Sequence, residues 1–86
     1  MTPYRVFLKP RAERDLDALP IAIARRIWQK LEQLETSPRL PSATKLVGEE
    51  EAYRIRVGDY RVVFLINDDE RLVEVIRVAH RREVYR

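Results

Sequence analysis

The chain has 86 residues, of which 45% are hydrophobic and 36% are charged, and its formal net charge is +3 at pH 7. This length allows one domain with a single modest core, and the absence of cysteine excludes a disulfide scaffold and any metal site with cysteine ligands. The mildly basic balance permits binding to nucleic acid without requiring it. The opening residues, MTPYRVFLKP, carry charges where a secretory signal needs an apolar run, and no segment is long and apolar enough for a membrane span. We therefore expect a cytoplasmic protein that does not bind membranes.

The first half of the chain predicts one strand followed by two helices. Residues 4–8 (YRVFL) form a short β-like run, and Pro10 is well suited to open a helix directly after it. Pro20 ends that helix and fits the first turn of a second one, which should end near residues 36–37. Apolar residues at helical spacing support both helices, namely Ala12, Leu16 and Leu19 in the first and Ile23, Ile27, Leu31 and Leu34 in the second. Trp28 lies off the second stripe, and we expect it to pack against another element.

The second half of the chain predicts a β-sheet. Residues 37–51 form a connector rich in Pro, Ser and Gly, with a short edge strand near Leu46. Three strands follow in an antiparallel meander, with the sequences AYRIRV, YRVVFLI and LVEVIRVA. The apolar face of the first two strands must lie on the helical hairpin, because neither layer can bury its apolar side alone. The predicted fold is a single α+β domain over residues 1–86 with the order β-α-α-β-β-β, in which the N-terminal strand and the helical hairpin pack on one face of a small antiparallel sheet.

The stretch YRIRVGDYR, residues 53–61, predicts a tight hairpin with three arginines on one face. Gly58-Asp59 fits a two-residue loop with glycine first, which is typical of a type II′ turn. The resulting register pairs Val57 with Tyr60, Arg56 with Arg61, and Arg54 with Val63. Directly opposed like charges destabilise a sheet. An anionic ligand is the natural partner for such a cluster.

Several classes of chemistry find little support in the composition. His80 is the single histidine, and the two serines lie in the connector, which gives no basis for a metal site or a serine triad. Gly48 and Gly58, the only glycines, cannot form a phosphate-binding loop of the nucleotide-binding type. We therefore expect no metal and no cofactor.

The arginines of the hairpin and the polar tail HRREVYR together fit a site for metal-free cleavage of RNA. In such a site, arginines surround the phosphodiester that is cleaved. Guanidinium groups donate two hydrogen bonds to one anion and stabilise the extra negative charge of the transition state. Arg81 joins the three arginines of the hairpin if the face shared by Arg77, Val73 and Val75 points away from the helices. Proton transfer requires a base and an acid, for which His80 and Tyr85 are the candidates. Tyr85 can instead stack on an RNA base.

The chain resembles toxins of the RelE/ParE superfamily from type II toxin–antitoxin systems, and within them the RelE branch. The resemblance covers almost the whole length and includes KLVG at 45–48, YRIRVGDYRVVF at 53–64 and VAHRREVY at 78–85. It implies a toxin that enters the ribosomal A site and cleaves mRNA there by attack of the 2′-hydroxyl, without a metal.

The resemblance also assigns expected roles to individual residues. Arg61 matches the arginine that contacts the phosphate, Arg81 the arginine that stabilises the transition state, and Tyr85 the tyrosine that stacks on or activates the substrate. Arg54 and Arg56 fall where some relatives carry lysines and are expected to bind RNA. Arginine hardly gives up its proton, which leaves His80 a larger expected share of the proton transfer.

The family resemblance implies partners as well as an activity. The expected partners are a cognate antitoxin, mRNA on the ribosome and, through the antitoxin, operator DNA. Two other readings remain open on the same fold, because function lies in the site and not in the scaffold. One is a ParE-like toxin that inhibits DNA gyrase without cutting RNA, and the other is an inactive antitoxin-binding module in a repressor complex.

Overall fold

The computed structural model describes residues 3–46 and 52–80. Five strands and two helices follow in the order β1 (Arg5–Leu8), α1 (Pro10–Asp17), α2 (Ile21–Leu34), β2 (Thr44–Lys45), β3 (Ala52–Val57), β4 (Tyr60–Asn67) and β5 (Leu72–His80). Pro10 occupies the first turn of α1, where its missing N–H costs no hydrogen bond. Pro20 is the N-cap of α2, and α2 ends at Leu34, slightly earlier than the sequence predicts. The α+β class and the element order are confirmed, with β2 as the expected edge strand.

The sheet has the strand order β1-β5-β4-β3-β2. Strands β3, β4 and β5 form the expected antiparallel meander. Strand β1 pairs in parallel with β5, with Val6 opposite Val73. The sheet is therefore mixed, and the expectation of a purely antiparallel sheet fails at this edge. The alternating pattern of β1, which has only four residues, determines which face of the strand is buried. It does not determine whether the strand pairs with its neighbour in parallel or antiparallel.

Both helices cover one face of the sheet and enclose the core. The large side chains that are fully buried are Phe64, Ile27, Leu31, Leu34, Ile55, Val62, Val73 and Val75. Burial of each such side chain stabilises the fold by about 1.5–3 kcal/mol before the loss of entropy is counted. Trp28 is 46% exposed, so the expectation that it packs against another element holds only in part. It lies one residue from Ile27, which turns its ring away from the buried stripe.

A bulge in β5 determines which of its residues face the core. The register pairs Val63 with Arg77 and Phe64 with Val75, which leaves Ile76 without a partner in this ladder. One extra residue shifts the alternation along the strand. Val73 and Val75 are fully buried under the helices, whereas Arg77 lies on the outer face opposite Val63. The expectation that Arg77 shares a face with those two valines is therefore wrong, because a period of two cannot reveal a bulge.

Asp15 of α1 caps the part of β5 that continues past the pairing with β1. The backbone N–H of Val78 donates to Asp15 Oδ2 at 2.9 Å, and Arg77 Nε lies 3.5 Å from the same oxygen. Arg11 Nε donates to Asp15 Oδ1 at 3.2 Å, one helical turn away. The largely buried carboxylate of Asp15 therefore accepts a hydrogen bond from a backbone amide at the sheet edge, and this contact joins α1 to β5.

A polar cluster joins four segments at the Asn67–Leu72 turn. Arg39, which follows α2, binds both oxygens of Asp68 at 3.1 and 2.9 Å and donates through Nε to the Tyr53 hydroxyl at 3.0 Å. The Tyr4 hydroxyl also donates to Asp68 Oδ1. Hydrogen bonds from Arg39 and then from Tyr4 lower the pKa of Asp68 from 3.8 to about 2. The cluster thus favours the ionised carboxylate in the folded protein.

We expect the substitution Asp68→Asn to lower the thermal stability near neutral pH and to remove part of its acid sensitivity. Because the folded pKa lies below the unfolded one, the contribution of Asp68 is complete above pH 3.8 and disappears as the pH falls through about 2. Melting followed by circular dichroism should show the two proteins converging over that range. Asp69→Asn removes the neighbouring carboxylate of the same turn and serves as the control. A stability difference between wild type and Asp68→Asn that is independent of pH would contradict this account.

Candidate functional site

The arginine-bearing face of the β3–β4 hairpin is the candidate site. Arg56 lies directly opposite Arg61, and Arg54 lies opposite Val63, as the sequence predicts. Gly58 has φ of 59°, which fits glycine at the first position of a type II′ loop. Arg56 Nε donates to the carbonyl oxygen of Gly58 at 3.3 Å. The turn therefore determines both the register and the position of one guanidinium group.

The three arginines differ strongly in exposure. Arg56 is exposed and Arg54 is half-buried, whereas Arg61 is only 7% exposed. Arg61 lies on the central strand of the three-strand meander, paired on one side with Arg56 and on the other with Ala79. Sequence alternation predicted the face of Arg61 but not its burial. A guanidinium group enclosed in this way loses little entropy when it binds an anion, because its side chain is already confined.

The outer face carries different chemistry towards its β1 edge. Glu74 lies there, and its carboxylate is 3.6 Å from Lys9 Nζ. The ring of Phe7 is 52% exposed, and together with Arg5, Val6, Leu72 and Glu74 it lines an open groove of about 440 Å³. The cationic half of the face is therefore the half next to the β3–β4 turn.

His80 lies on the other side of the sheet from these arginines. It pairs with Tyr60, and the two rings meet edge to face with their centroids 5.4 Å apart. Two residues earlier, Val78 is 2% exposed within the core, which identifies this side as the one covered by the helices. The structure thus brings Arg54, Arg56 and Arg61 together and separates His80 from them. Arg81 and Tyr85 lie outside the described residues.

Arg26 is a residue near the site that the sequence did not reveal. Its guanidinium group comes from α2 and lies beside the turn, with Nη1 3.6 Å from the point where a Cβ on Gly58 would stand. Helical periodicity placed Arg26 off the apolar stripe, but it contains no information about which loop that surface meets. The proximity of Arg26 to the turn is evident only from the packing of the helices on the sheet.

Within residues 3–46 and 52–80, no group of three or more histidine or acidic residues is placed to hold a metal ion. No helix in the same ranges is long and apolar enough to cross a membrane.

Comparison with known proteins identifies the class of protein that this fold and site define. The family model described as "ParE toxin of type II toxin-antitoxin system, parDE" matches residues 6–85. The chain therefore belongs to the RelE/ParE superfamily and is a toxin of a type II toxin–antitoxin system.

Several individual relatives of the chain are toxins with names of the RelE type. It is 39% identical to Toxin RelE of Mycobacterium tuberculosis over 98% of this chain and 88% of that toxin. It is 32% identical to Toxin RelG of the same organism over 98% of both chains. Among solved structures, the archaeal RelE–RelB complex from Pyrococcus horikoshii matches with a TM-score of 0.81 and 32% identity over 94% of this chain and 97% of that one. The intact E. coli RelBE complex matches with a TM-score of 0.81 and 28% identity over 90% and 95%.

We expect the substitution Arg56→Thr to stabilise the isolated protein. It removes one member of a directly opposed pair of like charges, which should raise the free energy of unfolding by about 0.2–1 kcal/mol. Urea unfolding at low ionic strength measures the change, because salt would screen the repulsion. Arg54→Thr is the matched control, since Arg54 faces Val63 and not another cation. Equal effects of the two substitutions would show that the repulsion between Arg56 and Arg61 is not significant.

Proposed function

We propose that this toxin is an endoribonuclease that cleaves mRNA on the ribosome without a metal ion. The observation that carries the proposal is the direct opposition of Arg56 and Arg61 beside Arg54 on one face of the hairpin. Two guanidinium groups that face each other across a ladder repel, whereas a phosphodiester can accept hydrogen bonds from both. The similarity to toxins named RelE supports the proposal, and we propose a cytoplasmic location because ribosome-bound mRNA is the target.

The chemistry requires charge stabilisation and two proton transfers. The 2′-oxygen of the RNA attacks the adjacent phosphorus, the bond to the 5′-oxygen breaks, and a 2′,3′-cyclic phosphate forms. A base takes the proton of the 2′-hydroxyl, and an acid supplies one to the departing 5′-oxygen. Arg61 binds a non-bridging phosphate oxygen, and Arg81 stabilises the additional negative charge of the transition state. Arg54 and Arg56 bind the neighbouring backbone.

Tyr85 and His80 are the two candidates that the sequence offers for proton transfer. Tyr85 belongs to the tail that follows β5, and neighbouring cations would lower the pKa of a tyrosine there. His80 meets Tyr60 on the helix-covered side of the sheet, so it can act on the same phosphodiester only if the RNA passes around the hairpin. The position of His80 argues against it as the residue that acts on the arginine-bearing face, and we therefore propose Tyr85 for that role.

A ParE-like inhibitor of DNA gyrase is the second candidate function. The description of the matching family model favours it, because that description names ParE and parDE. The relatives named RelE and the opposed arginines favour RNA cleavage instead. The two activities leave different products, since poisoned gyrase accumulates DNA breaks and an endoribonuclease accumulates new mRNA ends.

A cognate antitoxin is the proposed protein partner. The similar structures from Pyrococcus horikoshii and E. coli are complexes of RelE with RelB. Here α1 and α2 border an open groove of about 300 Å³, beside which Ile21 is 74% and Trp28 is 46% exposed. An amphipathic antitoxin segment can place its apolar residues in this groove. Acidic residues of the same partner would reach Arg54 and Arg56 only by passing around the sheet, because the groove and the arginines lie on opposite sides.

We expect loss of either main arginine to slow mRNA cleavage by about 10²–10³-fold, since each removes a preorganised donor to the developing charge. Arg61→Ala and Arg81→Ala would be tested singly and together on ribosomes programmed with a defined mRNA, with primer extension to map new 5′ ends. Arg61→Lys keeps the charge but loses the planar fork and should also be slow. Because Arg61 is buried, circular dichroism must show that each variant folds.

Arg14→Ala, which removes an exposed cation of α1, is the control for net charge and should cleave like wild type. Undiminished cleavage by the double variant would remove the proposed roles of both arginines. Intact mRNA together with accumulated gyrase-linked DNA breaks would replace the proposed function with the ParE-like one.

A further inference from the structure

The tip of the β3–β4 hairpin carries functional groups on both of its sides. Arg56 approaches Gly58 from its own strand and donates to the Gly58 carbonyl oxygen at 3.3 Å. Arg26 approaches the same glycine from α2, and its two terminal nitrogens lie 3.6 and 4.0 Å from the position of a Cβ. Two guanidinium groups from different elements therefore flank a turn of two residues. The turn requires glycine at this position because its φ of 59° lies in the left-handed region.

An aromatic pair lies beside the same turn, on the helix-covered side of the sheet. Tyr60 follows the turn directly, and His80 pairs with it across the ladder, with an angle of 80° between their rings. Both side chains are half-buried, whereas the next residues inward on the same face, Val62 and Val78, are 0% and 2% exposed. The pair therefore marks the rim of the core, where an aromatic surface can still be reached by a ligand.

We propose that Arg26, Tyr60 and His80 form a second nucleotide subsite for the mRNA strand that the toxin cleaves. This inference rests on the proposed function and extends it. Single-stranded RNA is recognised by aromatic side chains that stack on or contact its bases and by cations that bind its phosphates. Tyr60 and His80 supply the aromatic surface, and Arg26 supplies the cation beside it. The mRNA strand then passes around the turn from Arg54, Arg56 and Arg61 on one side to this subsite on the other.

The subsite gives His80 a role in binding rather than in proton transfer. The sheet lies between His80 and the arginine-bearing face, so its imidazole is poorly placed to reach a 2′-hydroxyl held against Arg61. Its edge-to-face contact with Tyr60 uses the ring and not its acid–base chemistry. The two roles are separable, because an aromatic residue without a titrating group preserves only one of them.

The test compares His80→Phe with His80→Ala on programmed ribosomes. His80→Phe restores an aromatic ring that His80→Ala lacks, so we expect the concentration for half-maximal cleavage to return to within about twofold of wild type and the pH profile to show no shift. His80→Ala loses the ring, so we expect the concentration for half-maximal cleavage to rise about tenfold while the rate at saturation stays nearly unchanged. A large loss of the saturated rate in His80→Phe, or a shifted pH profile, would overturn the inference and return His80 to proton transfer.

A second arm measures binding without cleavage. Fluorescently labelled toxin is titrated with ribosomes whose A-site codon is 2′-deoxy and cannot react, and with ribosomes that lack mRNA. We expect Arg26→Ala to weaken binding several-fold only when mRNA is present, whereas Arg25→Ala, which removes the neighbouring exposed cation of α2, should not show that dependence. Equal effects of the two substitutions, or an effect that is independent of mRNA, would overturn the role of Arg26.

The two arms separate this inference from the proposed function. If wild-type toxin leaves mRNA intact while Arg26→Ala and His80→Ala still weaken mRNA-dependent binding, the proposed cleavage fails and the subsite stands. If wild type cleaves and neither substitution affects binding or half-maximal concentration, the cleavage stands and the subsite fails. No binding of wild type to either kind of ribosome would overturn both.

Discussion

The two-residue turn at Gly58-Asp59 is the constraint on which the rest of the site depends. It aligns β3 and β4 so that Arg56 and Arg61 are forced to face each other across the ladder. A shift of either strand by one residue would move the arginines of that strand to the core side. The strand register therefore determines whether the groups proposed to bind an anion lie together on one face.

Stabilising interactions lie away from this turn. Arg39, Asp68, Tyr4 and Tyr53 join the connector, the first strand and the sheet through charge-assisted hydrogen bonds. The helices add an apolar layer in which Ile27, Leu31 and Leu34 are almost completely buried. Because these interactions are independent of the arginine-bearing face, substitutions that alter the site need not unfold the domain.

Local patterns were sufficient to predict the helices, the meander and the hairpin register, since each depends on residues close together in the sequence. Contacts between distant segments were not predictable in the same way. The parallel pairing of β1, the bulge at Ile76 and the approach of Arg26 to Gly58 all depend on how the layers pack. The burial of Arg61 depends likewise on neighbours from two strands, and the separation of His80 from the arginines follows from the face it shares with Val78.

The contact between Asp15 and the Val78 amide has a consequence for how the protein behaves in a crowded solution. A strand that extends beyond its neighbour exposes unpaired backbone amides, and another extended chain can pair with them. Such edge-to-edge pairing is one route to aggregation. Here the carboxylate of Asp15 accepts the hydrogen bond that an added strand would otherwise accept, and it places a negative charge at this edge of the sheet. Pairing of a further strand with this part of β5 is therefore disfavoured by a single side chain of α1.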